Sequence, residues 1–267
     1  MIETNNIKMN TLLAKADHSQ TVFNKETAAY ITLFRNKQGM FRGERKTYSP
    51  REGYPEDPTK QGVTAVQSTV DEQFDWFTKE VAKTYLEEQF AIEATNSLGA
   101  KKVPLIVDGI NFGELTALDL MRLKSILTSP NLESMYDNIP VRSDSEIWIK
   151  AEDDYTNRAV YCTPMQKGVT RTTESEEVIL RDPNLDPAHL PANYNAKTTI
   201  KKKTVEIGDY TMQKFSGEWT QTQKAHLLAR KSRLLNAVIA ALKEVNDVEA
   251  APINLDVDAM LYYLHKG

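Results

Sequence analysis

The sequence predicts an α+β protein: N-terminal helices, a central antiparallel sheet and a long C-terminal helix packed on it. Three observations predict this class. Apolar residues recur at helical spacing through most of the first 96 positions. Between Pro140 and Phe215, short runs rich in β-branched and aromatic residues follow one another. Residues 220–246 then return to helical period over about seven turns.

Composition sets the outer bounds. A chain of 267 residues with 40% apolar and 26% charged residues has enough apolar material for a core and is not a disordered sequence. The net charge of −4 argues against a protein that works by coating nucleic acid, although a local basic patch remains compatible with it. Cys162 stands alone, so no intrachain disulfide forms and a reducing compartment fits. No run reaches the roughly 18 apolar residues of a membrane span. The polar start Met1-Ile2-Glu3-Thr4 lacks the layout of a secretory signal. The expectation is a cytoplasmic protein with no membrane contact.

The elements follow in order. Leu12, Leu13 and Ala16 form a short apolar stretch, with Asp17 or Ser19 as the cap of what comes next. Phe23, Thr27, Tyr30, Ile31 and Phe34 then continue at helical spacing to Gly39. Residues 40–63 are dense in glycine and proline, which predicts a loop. A helix opens at Ser68 or Thr69, and Val70, Phe74, Phe77, Val81 and Tyr85 give the cleanest helical stripe in the chain. Residues 103–113 read as a hairpin turning at Asp108-Gly109. Thr116 caps a further helix carrying Leu120, Leu123 and Leu127, and residues 132–139 add another helical turn.

Strand candidates come next: 147–149, 159–161, 169–173, 177–180, 198–207 and 210–215. Ile207-Gly208-Asp209-Tyr210 reads as the turn joining the last two, and residues 182–195 as a proline-rich loop. The closing helix carries Leu227, Leu228, Leu234, Leu235, Val238, Ile239, Ala241, Leu242 and Val245. At 100° per residue they cover an arc of about 160°, wider than the roughly 100° that one neighbour conceals. A short amphipathic tail follows with Leu255, Val257, Met260, Leu261 and Leu264. Two parts are expected: residues 1–139, mainly helical with the one hairpin, and 140–267, sheet plus C-terminal helices, integrated as two lobes.

Chemistry-bearing patterns are sparse. The segment from Arg35 to Arg51 holds six cations against Glu44, with Phe34, Phe41 and Tyr48 among them. Phosphates attract such clusters and bases stack on the rings, so Arg42, Arg45, Lys46 and Arg51 are the candidate anion-binding residues. A solvated basic loop docking on an acidic surface is the plainer reading. Lys201-Lys202-Lys203 lies in a predicted strand, where charge guards an edge against stray pairing. Glu152-Asp153-Asp154, Glu174-Ser175-Glu176-Glu177 and Asp256-Val257-Asp258 read as solvated turns without calcium-loop spacing. His18, His189, His226 and His265 are scattered, so neither metal nor cofactor is expected. Cys162, at a strand end, reads as a buried structural thiol. There is no phosphate-binding glycine loop and no nucleophile elbow, and no catalytic residue is assigned. Trp148 and Trp219 read as core or lid aromatics. Trp76 falls outside the Phe74–Phe77–Val81 stripe, which points to a second packing surface.

Three stretches carry a resemblance: Arg45-Lys46-Thr47-Tyr48-Ser49-Pro50; Ile139-Pro140 followed by Ser145-Glu146-Ile147-Trp148; and Gly208 through Tyr210 to Lys214-Phe215-Ser216-Gly217. In this order they resemble an uncharacterised bacterial family of actinobacterial type, over most of residues 30–246. The sequence departs from it by insertions around 128–138 and 174–192 and by an extension after Asn246. The resemblance implies a bacterial or phage source and carries no functional residue across.

The leading functional expectation is a non-enzymatic assembly or interaction protein that self-associates as a homo-oligomer, such as a phage or bacterial structural component. Its interface would use Trp76, Leu228, Leu235 and Ile239, since apolar surface that one copy cannot cover is covered by another. The alternative is a module binding nucleic acid or a nucleotide through the basic segment 35–51. A second alternative is an enzyme whose active site is dispersed along the chain.

Overall fold

The structure is a computed structural model that describes residues 8–180, 197–247 and 255–266. Its first half contains α1 (Met9–Asn36), β1 (Arg42–Pro50), β2 (Gly62–Thr64), α2 (Val70–Trp76), α3 (Lys83–Asn96), β3 (Lys102–Val107) and β4 (Ile110–Thr116). There follow α4 (Ala117–Leu127), α5 (Pro130–Asp137), β5 (Ile149–Lys150), β6 (Tyr161–Cys162), β7 (Gln166–Ile179), β8 (Thr198–Ser216), α6 (Gln221–Val245) and α7 (Val257–Lys266). This is the α+β class the sequence predicts. The chain divides into two compact units, one of residues 1–28, 79–137 and 225–267, the other of 29–78 and 138–224. Each draws on both sides of residue 139, so the division is interleaved along the chain.

The N-terminal helix is continuous where the sequence suggested a cap in its middle. Ala16, Ser19, Phe23, Thr27, Tyr30 and Phe34 are all buried, at spacings that keep one face inward across the whole helix. Ser19 is no cap, because its hydroxyl donates to the Ala16 carbonyl at 3.1 Å inside the helix. The next helix begins as predicted. The Thr69 hydroxyl accepts from Glu72 N, and the Glu72 carboxylate accepts from Thr69 N, a reciprocal cap that satisfies two free amides. A π-helical turn, Phe77–Ala82, then leads into α3.

In the first unit, β3 and β4 form the predicted hairpin. Asp108 and Gly109 hold φ of 52° and 82°, the left-handed pair that a two-residue turn requires. Thr116 caps α4 with Asp119 as its reciprocal partner. Val103, Leu105, Leu120 and Leu127 make a core with Val238, Ala241 and Val245 of α6. Within this unit the buried face of α6 packs on the hairpin and α4.

In the second unit, the sheet runs β2-β1-β8-β6-β5, with β7 also paired to β8. All pairs are antiparallel, and β8 pairs with β1 from Arg42↔Ser216 to Pro50↔Gly208. Three expectations change here. The glycine- and proline-rich segment 40–63 contains β1 and β2, because an extended basic run finds its partners across the sheet. The run 207–210 lies inside β8, not in a turn: the Tyr48 ring lies so close over Gly208 that a Cβ there would meet it at 2.4 Å. Tyr210 covers Gly168 of β7 in the same way. These glycines admit aromatic rings across strands. The acidic run 174–177 is strand β7, where Glu174 and Glu176 face Lys203 and Lys201 in register. The lysines thus have opposite-charge cross-strand neighbours. Residues 182–195, including His189, lie outside the described residues.

Around this sheet, Val66, Ala151, Val160, Cys162 and Phe215 form one core cluster, so Cys162 is a buried thiol as expected. A second cluster stacks Phe74 on Trp219 at 5.1 Å, and Phe34 lies 5.8 Å from Phe74. Gly43 sits where a Cβ would approach the Thr64 carbonyl oxygen at 2.7 Å and Val66 N at 3.1 Å. Because the obstruction is backbone, Gly43→Ala is expected to destabilise the protein by about 1–3 kcal/mol, read as a lower urea midpoint with an unchanged slope.

Candidate functional site

Strand β1 presents the basic residues singled out in the sequence, and the protein's own groups already engage them. Arg42 Nε donates to Glu218 Oε1 at 2.8 Å and Nη2 to Gln38 Oε1 at 3.3 Å. Arg45 pairs with Asp154, and its guanidinium lies 5.4 Å from the centre of the Phe215 ring. The Lys46 ammonium sits 5.8 Å from the Tyr210 ring centre. Arg51 is held by Asp209 at 3.1 Å and by Glu206. Glu206 also takes Arg171 at 3.1 Å, and these two guanidiniums, Arg171 foremost, hold its carboxyl below the usual carboxylate range. Strand alternation places Arg45 on the face opposite Arg42 and Lys46. The four residues therefore do not converge on one anion.

A cleft of about 630 Å³ opens beside this strand, lined among others by Arg42, Glu44, Glu146, Trp148, Lys214 and Glu218. Glu218 is only 4% exposed. Its Oε2 accepts from the Ser216 hydroxyl at 3.1 Å, its amide donates to Ser216 Oγ at 3.1 Å, and its carbonyl accepts from Arg142 Nη1 at 3.3 Å. Burial raises the proton affinity of the Glu218 carboxyl, against the pull of Arg42, because the charged form loses water that the guanidinium only partly replaces. The Trp148 indole is fixed by donating to the Ser143 carbonyl at 2.8 Å, and Lys214 is paired with Glu146. The cleft thus offers one buried carboxyl of raised proton affinity, a fixed aromatic wall and surface charges of both signs. Trp148 comes to Lys214 and Glu218 from a segment about 70 residues away in sequence. The Ser145–Trp148 and Gly208–Gly217 stretches, both singled out on resemblance, each supply part of its lining.

The apolar candidates lie elsewhere. Trp76 is 48% exposed, its ring 6.4 Å from that of Tyr30. Leu228, Leu235 and Ile239 of α6 are each only partly buried, so the described chain does not fully cover this stripe. Leu235 and Leu242 touch the first unit's core from its rim. Helix α7 is a further exposed apolar element, to which the sequence alone assigns no role although its spacing is visible. Val257, Met260, Leu261 and Leu264 form a stripe at 3-1-3 intervals and are 41%, 40%, 43% and 63% exposed. Among the described residues there is no group of three or more potential metal ligands. Glu88 Oε2 in α3 is the one buried side-chain oxygen or nitrogen that lacks a hydrogen-bond partner among the described residues.

The chain belongs to DUF7873, a family of unknown function, which matches residues 6–266. Comparison with curated proteins and with solved structures gave no match.

Two substitutions check these electrostatic assignments. A carboxyl with raised folded-state proton affinity binds more protons folded than unfolded, so its contribution to stability grows as pH falls. The stability of the parent relative to Glu218→Gln is therefore expected to rise between pH 7 and pH 5, read from urea midpoints. An unpaired buried carboxyl oxygen costs about 1–3 kcal/mol. Glu88→Met is accordingly expected to raise the melting temperature at pH 7, and a lowered one would assign Glu88 a partner.

Proposed function

We propose that this DUF7873 protein is a non-enzymatic, self-associating assembly or interaction protein of the cytoplasm, a structural component of an actinobacterial-type host or its phage. One observation carries the reading. Helix α7 has ten residues and an apolar stripe that remains 40–63% exposed in the described chain. Isolated helices of this length are marginal in water, and each Leu or Met side chain gains about 1.5–3 kcal/mol on burial. A sequence that keeps four such residues in helical register is therefore suited to dock its stripe on another surface. The exposed Ile106, Ile110 and Phe112 of the β3–β4 hairpin add apolar surface of the same kind.

The anion-binding reading has less support, since Arg42, Arg45 and Arg51 are engaged by the chain's own carboxylates. A second reading, a dispersed small-molecule site, draws on the cleft lined by the buried carboxyl of Glu218 and the fixed ring of Trp148. A thermal-shift screen of nucleosides and monosaccharides would show it as a rise in melting temperature that Trp148→Ala abolishes.

For the leading reading, size-exclusion chromatography with light scattering is expected to give a dimer or larger species at micromolar concentration. A strict monomer across that range overturns it.

A further inference from the structure

Resting on the self-association reading, we infer that α7 of one copy docks on the incompletely covered stripe of α6 in a second copy, and that the exchange is reciprocal. The acceptor is the line Leu228, Leu235, Ile239 and Leu242, all partly buried. At its C-terminal end lies a shallow groove formed by Lys124, Ile239, Leu242, Lys243, Asn246 and Asp247. The donor is Val257, Met260, Leu261 and Leu264. Val257 to Leu264 and Leu235 to Leu242 each span seven residues, two turns or about 10.5 Å, so the stripes match in length. Laid antiparallel, Val257 meets Leu242, Met260 meets Ile239 and Leu264 meets Leu235, with Leu261 beside Met260 on the same stripe.

Charge fixes this direction. The start of α7 carries Asp256 and Asp258, with Asp256 Oδ1 accepting from Ala259 N at 2.9 Å. The groove at the end of α6 presents Lys124 and Lys243 against the single Asp247. Antiparallel docking brings the two aspartates to Lys124 and Lys243, whereas parallel docking would bring them toward Arg230 and Lys231, of which Lys231 is already paired with Glu133 at 2.8 Å. The antiparallel sense also sets the helix dipoles head to tail.

Chain length favours a second copy over the helix's own α6. Helix pairs that fold back on themselves use about 2–8 connecting residues. Here 11 residues separate Val245 from Val257, a length that reaches up to roughly 35 Å when extended. Each copy then offers one donor and one acceptor, and mutual exchange closes the pair with two-fold symmetry, leaving no free stripe to propagate.

The test uses the full chain by light scattering at micromolar concentration. The chain is expected to be a dimer, and Leu261→Asp, which changes a residue already 43% exposed, is expected to weaken dimerisation by at least about tenfold with unchanged circular dichroism. A stop after Asp247 is expected to give a monomer. A double variant, Leu235→Cys with Leu264→Cys, is expected to form a disulfide-linked dimer on a non-reducing gel. A dimer that survives both Leu261→Asp and the truncation overturns the α7–α6 exchange and leaves self-association standing. A disulfide formed within single chains assigns α7 to its own α6 and overturns the exchange. A parent chain that is monomeric throughout removes both.

Discussion

Strand β8 is the constraint on which the second unit depends. Nineteen residues long, it pairs with β1 along one edge and with β7 and then β6 along the other, so three strands take their register from it. Two contacts specify that register beyond the ladder itself. The ring of Tyr48 occupies the space over Gly208, and the ring of Tyr210 occupies the space over Gly168. A slip of one residue would drive either ring into a Cβ and turn every inward side chain outward. The Tyr48 hydroxyl also donates to the Ile207 carbonyl at 3.1 Å, tying the ring to the strand it covers.

What β8 holds in place is the Arg42–Glu218 corner. Arg42 opens β1, Ser216 closes β8, and the register pairs them directly. Glu218, two residues on, is thereby brought under the guanidinium and the Ser216 hydroxyl. Gly217 N donates to the Phe41 carbonyl at 2.8 Å and Val70 N to the Gly217 carbonyl at 2.9 Å, so the same corner receives the start of α2. A buried carboxyl is costly unless it is paired, and here sheet register supplies the partners. The cleft with its Trp148 wall is a consequence of this corner.

The first unit follows another logic. Its core is small, made of a hairpin, α4 and one face of α6, and it leaves α6 with a second apolar line that it covers only in part. The same unit contains α7, apolar along one side and exposed throughout. A donor and an acceptor of matching length and opposite end charge within one chain are what self-association asks of a sequence, and neither is costly to display in part.

Legibility in the sequence divides by range of interaction. The Asp108-Gly109 turn, the Thr69 and Thr116 caps and the Val70–Tyr85 stripe were readable because each is decided by residues within a few positions of one another. The basic segment was misread as a loop because its partners lie far away: Asp154, Glu206 and Glu218 are 109, 155 and 176 residues from Arg45, Arg51 and Arg42. Glycine density argued for turns at 40–63 and 207–210, yet Gly43 and Gly208 serve close approach in strands, which no local pattern distinguishes. The cleft was invisible for the same reason.

By itself, then, the sequence determined the α+β class, most helix starts, the hairpin and the excess of apolar residues near the C-terminus, all properties of period and local backbone preference. Only the tertiary structure decided that the basic run is a strand, that α6 packs on the hairpin, and that Glu218 is buried beside Arg42. Those outcomes depend on which distant segments compete successfully for the same hydrogen bonds and the same apolar surface.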